Sequence, residues 1–415
     1  MLKRIFAIGF IFVCTAVAWV ILGSTVFYRT YDSDTSLRRS VASIWGAPQE
    51  QAPPTASYDR GTPRTVVTVE EGKTVKRTSE QKESMALPLE SSTIDVRLDL
   101  DHRRKGLLWY STYKVAFDGQ YGFRNTTDRE QLVTFVLNFP AAQAIYDDLA
   151  FTVDGAPLEV TNQKASASGT ARMPPGKTAV LRVSYRSQGL DSWRYNLGGE
   201  VAQVRNFLLK VATNFKDIDF PGNTLSPSEK RETAGGWELS WNYRNLVSGF
   251  RIGVTMPEKL QPGPLAGRIS FFAPVSLFFF FFLMLVITTL RGIELHPVNY
   301  FFLAAAFFSF HLLLAYLADQ ISIHAAFVIC SAVSIFLVVS YLRLVTGLRF
   351  AAVEAGLAQL IYLVLFSYAF FFKGLTGLVI TIGSILTLFV VMQMTGRIRW
   401  SERFASHTGR DQSMG

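Results

Sequence analysis

Five long apolar runs lie between residues 269 and 396, separated by only a few polar residues, and a sixth stands alone at 5–27. Each is about 20 residues long, which as an α-helix crosses ~30 Å of hydrocarbon. That spacing constrains the chain more than any motif in it. It implies a membrane protein of mixed structure with an N-terminal transmembrane anchor, a large antiparallel β-rich external domain and a C-terminal five-helix transmembrane bundle. The expected segments are the anchor (1–28), a juxtamembrane segment and partly mobile linker (29–91), the β-rich domain (92–268), the bundle (269–396) and a basic tail (397–415).

The formal charge of +9 raises the question of nucleic acid, so its placement matters. Outside 28–268 there are ten Lys/Arg against five Asp/Glu, and most of those bases flank apolar runs: Lys3, Arg4, Arg291, Arg343, Arg349, Arg397, Arg399, Arg403 and Arg410. Bases beside spans set orientation. The partner they imply is the lipid bilayer, not nucleic acid. Placing them on one side gives a cytoplasmic N-terminus, residues 28–268 outside, and spans at roughly 269–290, 298–318, 323–345, 350–372 and 374–396. The tail then returns to the cytoplasm. The outer loops, Asp319–Ser322 and a turn at Lys373-Gly374, carry little positive charge.

The two cysteines, Cys14 and Cys330, both fall in apolar runs, so the external domain has no disulfide. Cys14 follows Ile11-Phe12-Val13, which lacks the small residues of a lipidation site. Ala16-x-Ala18 resembles a signal-peptide cleavage site, yet the run continues through Trp19, Val20, Ile21 and Leu22, favouring an uncleaved anchor.

After the first span comes a short amphipathic start, then a stretch from Tyr58 to Ser84 rich in Thr, Lys, Glu and Arg, with Pro48, Pro53, Pro54 and Pro63 close by. Such a mixture buries too little apolar surface to offset chain entropy, and a mobile linker is expected. From about residue 92 the period becomes two: Val96, Leu98, Leu100; Val133, Phe135, Leu137, Phe139; Leu181, Val183, Tyr185; Trp237, Leu239, Trp241, Tyr243. These are half-buried strands. Asp118-Gly119 and Asp154-Gly155 look like hairpin turns, since both central positions tolerate positive φ. Pro257, Pro262 and Pro264 suggest a stiff strap into the second span.

Catalytic chemistry finds little support. His102 is the one histidine of the domain and sits at a charged strand end; Asp217 and Asp219 could share a face, but nothing else converges on them. No phosphate-cradling glycine loop occurs and no cofactor is implied. In the spans, His311 and Gln359 are the polar groups far from the ends, and Gly377, Thr381, Ser384 and Thr395 recur at helical spacing in the sixth. With the third span starting at 298, His311 lies ~20 Å along it, at the depth of Ser331 and Thr381. A bond from His311 to one of these or to Tyr362 is expected, as glue between helices. Trp45, well beyond the first span, is expected to anchor the chain on the domain or at the lipid interface.

Trp45-Gly46-Ala47-Pro48-Gln49 resembles the Trp-Gly-x-x-Gln signature of the CreD family of bacterial inner-membrane proteins. His102-Arg103-Arg104-Lys105-Gly106-Leu107, followed by Tyr113, is similar to that family's basic-Gly-hydrophobic stretch ahead of a Tyr-centred strand. Leu295-His296-Pro297-Val298-Asn299-Tyr300 opens the third span as the family's His-Pro-x-x-Tyr does. His311-Leu312-Leu313-Leu314 and Thr395-Gly396-Arg397-Ile398-Arg399-Trp400 also look similar. The family's acidic-aromatic turn between the last two spans is replaced here by Phe372-Lys373-Gly374-Leu375-Thr376. The resemblance implies a place in the cell-envelope stress or integrity repertoire, linked to two-component regulation, without an established enzymatic reaction. The reading drawn from the chain as a whole is a non-enzymatic inner-membrane protein whose external β domain acts in the envelope, by binding an envelope protein partner or by stabilising the membrane. The candidate structural or partner-binding residues are Trp45, Gly46, Gln49, His296, Pro297, Tyr300, His311, Gln359, Thr381 and Ser384. The alternative is a transporter or channel that uses the polar positions of the bundle.

Overall fold

The computed structural model describes residues 2–396 apart from 71–72, 106–107, 142–143, 199–201 and 373, with backbone alone at 2–3, 33, 63–81 and 202. The basic tail at 397–415, Lys373 and the Gly106-Leu107 pair of the basic stretch lie outside the described residues.

Helix α1 (Leu2–Ile44) opens the chain. The strands are β1 (Gln49–Gln51), β2 (Thr55–Glu70), β3 (Lys73–Ala86), β4 (Leu89–Lys105), β5 (Leu108–Arg124), β6 (Gln131–Asn138), β7 (Tyr146–Val153) and β8 (Ala156–Pro157). They continue with β9 (Thr161–Asn162), β10 (Ser166–Met173), β11 (Thr178–Leu190), β12 (Ser192–Tyr195), β13 (Ala202–Thr213), β14 (Glu229–Glu232), β15 (Trp237–Ser248) and β16 (Ile252–Thr255). Helices α2 (Pro262–Arg291), α3 (Pro297–Leu317), α4 (Ile323–Thr346), α5 (Phe350–Phe371) and α6 (Thr376–Thr395) follow. The chain divides into two compact units, one of 1–35 with 260–415 and one of 36–259.

The second unit holds three sheets, ordered β14-β15-β13-β4-β5-β11-β7-β8, β3-β2-β6-β10-β9 and β1-β12-β16. Strand alternation decides what is buried. In β4, Ile94, Val96 and Leu98 point into the core while Thr93, Asp95 and Arg97 face out. Phe117, Tyr121, Phe123, Phe135, Trp193 and Trp241 fill the interior. Most pairings are antiparallel; β1 with β12 and β13 with β4 are parallel.

Several expectations are corrected. Asp118-Gly119 is no turn: β5 runs straight through it, paired with β4 and β11. Gly119 occupies an inward position, where a Cβ would lie 2.7 Å from the Tyr121 ring. Asp154-Gly155 is the turn, with φ of 48° and 84°. The linker rich in Thr, Lys and Glu forms the β2–β3 hairpin, registered from Ser57↔Ala86 to Glu70↔Lys73. Backbone ladders need no apolar residues, so composition hid it. The segment beyond residue 28 continues helix α1 to Ile44. Pro262 and Pro264 belong to the first turn of α2, where a missing N–H costs nothing, rather than to a strap.

The other unit contains the described helices long and apolar enough to cross a membrane: six, counting α1, which also runs on into the β-rich unit. In this unit α1 packs closely on α2: a Cβ on Gly23 would stand 3.4 Å from the Phe271 nitrogen, in van der Waals contact, so a small residue suits that position. Helix α5 is irregular, with π-helical segments at Phe350–Ala355 and Leu360–Leu365 on either side of Gly356–Gln359. On α6 only Thr387 and Val391 are buried among the described residues.

Candidate functional site

In the β-rich unit the Trp-Gly-x-x-Gln motif forms a latch. Helix α1 ends with Leu37 and Val41 packed on Leu108, Tyr110 and Leu190, with Trp45 at the edge of that cluster. The Arg103 guanidinium sits 3.3 Å over the Trp45 ring. Gly46 then turns the chain at φ 143°, and a Cβ there would fall 2.2 Å from the Gln188 carbonyl oxygen. Only glycine tolerates both that backbone region and that approach. Gln49, 1% exposed, donates from Nε2 to Ser187 Oγ at 2.8 Å and to the Gln188 carbonyl at 2.9 Å. Its strand β1 adds to β12, and β12 adds to β16, so the first and last strands of the unit share one small sheet.

Beneath the latch lies a group of tyrosines. Tyr185 OH donates to Gln51 Oε1 at 2.7 Å, Tyr113 OH to the Ser192 carbonyl at 2.8 Å, and Tyr146 OH to the Ala141 carbonyl at 2.8 Å. Burial pushes the Tyr113, Tyr121, Tyr185 and Tyr195 hydroxyls well above their ordinary pKa, and Tyr146 up to about 12. They stay neutral donors that tie strands together. His102 is also structural: its Nε2 donates to the Pro257 carbonyl at 2.8 Å, which Ser111 Oγ contacts at 2.7 Å.

The outer face of the large sheet carries a groove of about 810 Å³ over Ala116, Ser184, Ala212 and Ser240. Its charges are largely paired, Arg186 with Asp148 at 3.3 Å and Arg231 with Glu238 among them. That is a solvated, salt-bridged face. Among the described residues no three His, Cys, Asp or Glu side chains come together to hold a metal ion. Asp219 instead bridges its backbone to Thr255.

In the helical unit, His296 caps α3, accepting at Nδ1 from the Val298 amide at 3.3 Å, and Pro297 takes the first helical position. Tyr300 is buried with its ring edge-on to Phe281 at 5.2 Å. His311 is fully buried and faces the bundle. It bonds none of the residues expected: Nδ1 donates to the Phe307 carbonyl at 3.0 Å, and the ring stands 5.3 Å from that of Trp19 on α1. The expected partners are occupied elsewhere. Ser331 bonds the Phe327 carbonyl, Thr381 the Gly377 carbonyl, and Tyr362 donates to Thr387 Oγ1 at 2.8 Å. Equal depth along a helix is not proximity, because azimuth also counts, and the azimuth of an all-round apolar helix is unreadable.

The cross-helix polar link is centred on Gln359. Its Nε2 donates to Ser334 Oγ at 2.7 Å, and Ser334 donates to the Ala306 carbonyl at 2.7 Å, joining α5, α4 and α3. Gln359 stands out in the sequence as a polar group within a span, whereas Ser334 is one serine among several on α4. Ser384 bonds the Ile380 carbonyl and lines a cavity of about 180 Å³ shared with Phe279, Tyr362, Phe366, Gly383 and Thr387. Thr381 is exposed. At the helix ends, Arg291 pairs with Glu354, and Arg29 with Asp319 at 2.5 Å.

A family model described as inner membrane protein CreD matches residues 1–401. No curated protein matches. Among solved structures, a putative nutrient binding protein from Legionella pneumophila is 10% identical, covering 57% of this chain and 76% of its own, with a TM-score of 0.31. The M1 zinc metallopeptidase from Deinococcus radiodurans is 12% identical, covering 41% of this chain and 42% of its own, with a TM-score of 0.27. Likenesses that weak carry nothing about activity.

Proposed function

The chain belongs to the CreD family of inner membrane proteins, and from that premise we propose a non-enzymatic envelope protein whose β-rich unit lies on the periplasmic side and binds an envelope partner in stress response or envelope integrity. The family match supports the envelope role, and the sidedness of charge at the helix ends supports the periplasmic placement. Arg291 closes α2, Arg343 lies in the last turn of α4 and Arg349 precedes α5, so alternating spans put all three on one side. That side is the cytoplasm under the positive-inside rule, which leaves 36–259 opposite. On the periplasmic side the proposed topology places Arg29, neutralised by Asp319.

The rival reading, a transporter or channel, draws on Gln359, Ser334 and the cavity beside Ser384. Against it, the Gln359 and Ser334 side chains are fully buried and engaged with one another. Reporter fusions near Ser168 and at Gly396, active only outside or only inside respectively, test the topology. Both should be active. An inactive inner reporter at Gly396, or cleavage after Ala18, rejects it. Pull-down of the solubilised full chain should retain a stoichiometric envelope protein, and substrate flux in its absence would favour the rival.

A further inference from the structure

We propose that β3 pairs antiparallel with β3 of a second copy of this chain, joining two hairpins into one four-stranded sheet about a two-fold axis. The β2–β3 hairpin leaves its own sheet early. Only Thr55–Tyr58 of β2 pair with β6, whereas the pairing of β2 with β3 runs on to Glu70↔Lys73. Among the described strands the hairpin beyond Tyr58 is therefore a two-stranded ribbon, and β3 stands at the end of the sheet order. Two strands alone are marginally stable, and the outer one offers a row of unpaired N–H and C=O groups. No proline falls between Lys73 and Ala86 to break that row of donors.

Charge selects the occupant. Along a strand, every second residue turns its backbone groups to the same side, so a residue of β3 can be set opposite only one an even number of positions away. A two-fold pairing is then centred on a residue. With the centre on Thr78, Lys73 stands opposite Glu83 of the copy, Lys76 opposite Glu80, and Thr78 opposite itself. Symmetry repeats each charged pair, and no like charges face one another. The nearby centres fail. Arg77 as centre sets Arg77 against itself, and Ser79 sets Lys76 against Lys82. Centres on Lys76 or Glu80 set those residues against themselves. Opposite charges and Thr–Thr pairs directly across a ladder stabilise it, and like charges destabilise it. Lysines on an edge ordinarily repel an incoming strand. Here they disfavour the other registers and leave this one.

The hairpin register extends the pattern across all four strands. Glu70 is registered opposite Lys73 and Arg60 opposite Glu83, so the end row reads Glu70, Lys73, then Glu83 and Arg60 of the copy, alternating in sign. Thr65 is registered opposite Thr78, so the central row holds four threonines. Within one chain the residues registered opposite Lys76 and Glu80 are Val67 and Pro63, neither of them charged. The second copy supplies the opposite charge that the hairpin does not.

The test uses the full chain with Cys14→Ala and Cys330→Ala, carrying T78C and treated in native membranes with a short bifunctional thiol reagent. A cross-linked dimer of this chain is expected. T74C, which the register holds about 27 Å from position 74 of the copy, should give none. In the T78C chain, K76E and E80K should each lower the cross-linked fraction by on the order of tenfold, because attractive pairs become repulsive. The double reversal K76E/E80K should restore it, which a hairpin that had merely melted would not do. Absence of a T78C dimer overturns the proposal, as does equal cross-linking at T74C. Single reversals without effect overturn it too, and so does a double reversal that stays low. Cross-linking of T78C to a different protein in place of its own copy would also overturn it. None of these outcomes depends on the envelope role or on the side of the membrane that the unit occupies.

Discussion

The two units of this chain solve burial in opposite ways. In the β-rich unit each strand shows one face to the core and one to water, and residues of different polarity mark the difference. Along β4 the alternation of Ile94, Val96 and Leu98 with Asp95 and Arg97 declares the buried face. In the helical unit Phe280 is fully buried and Phe336 is 69% exposed, yet both are phenylalanines in apolar runs. Lipid is as apolar as the interior, so packing there is decided by shape and by a few hydrogen bonds. What lies inside is specified by residue type in one unit and by fit in the other.

High pH breaks the comparison most sharply. The tyrosine hydroxyls of the β-rich unit have folded pKa values raised above the unfolded value near 10, so their contribution is complete below pH 10 and is lost as pH rises towards the folded values. Each of the four fully buried tyrosines should cost about 1.4 kcal/mol at pH 11, together on the order of 5 kcal/mol. Chemical unfolding of the full chain at pH 9 and pH 11, followed by tryptophan fluorescence and proteolysis within 36–259, should show that unit failing first. Equal loss of both units would remove the distinction.

A smaller effect sharpens it at the latch. Gly46→Ala forces a Cβ against the Gln188 carbonyl in a region of φ that favours glycine. A loss of about 1–3 kcal/mol is expected, with new cleavage between Ile44 and Gln51 under limited proteolysis. Smallest of all are the changes in the helical unit. Gln359→Leu removes the link to Ser334 and should cost roughly 0.6–1.7 kcal/mol. Phe336→Ala, facing lipid, should stay within about 0.5 kcal/mol. A large loss from Phe336→Ala in a thermal melt would mean that face packs on protein.

The same contrast explains what could be read in advance. Strands carrying Trp237, Leu239 and Trp241 announced themselves by period, and the spans by length. The β2–β3 hairpin did not, because its pairing is backbone to backbone. Asp118-Gly119 misled because a turn dipeptide can also be an inward glycine making room for Tyr121. Trp45, Gly46 and Gln49 were visible as a motif, but their job depended on Gln188 and Ser187, far along the chain. His311 was recognisable as buried, and its contact with Trp19 was not, since nothing local gives a helix's rotation. The π-helical segments of α5 left no signal at all.

The small sheet β1-β12-β16 also sets a clock. Gln49 pairs with Trp193, and β12 in turn waits for Ile252. At synthesis rates of about 5–20 residues per second, β1 emerges roughly 7–30 s before its neighbour exists. The first span has by then been made, so the growing chain trails a tethered, open-ended strand. That sheet cannot be complete before Ile252–Thr255 have been made, shortly before α2 is synthesised. A pause between residues 51 and 192 would prolong the interval in which the nascent chain is open to proteases.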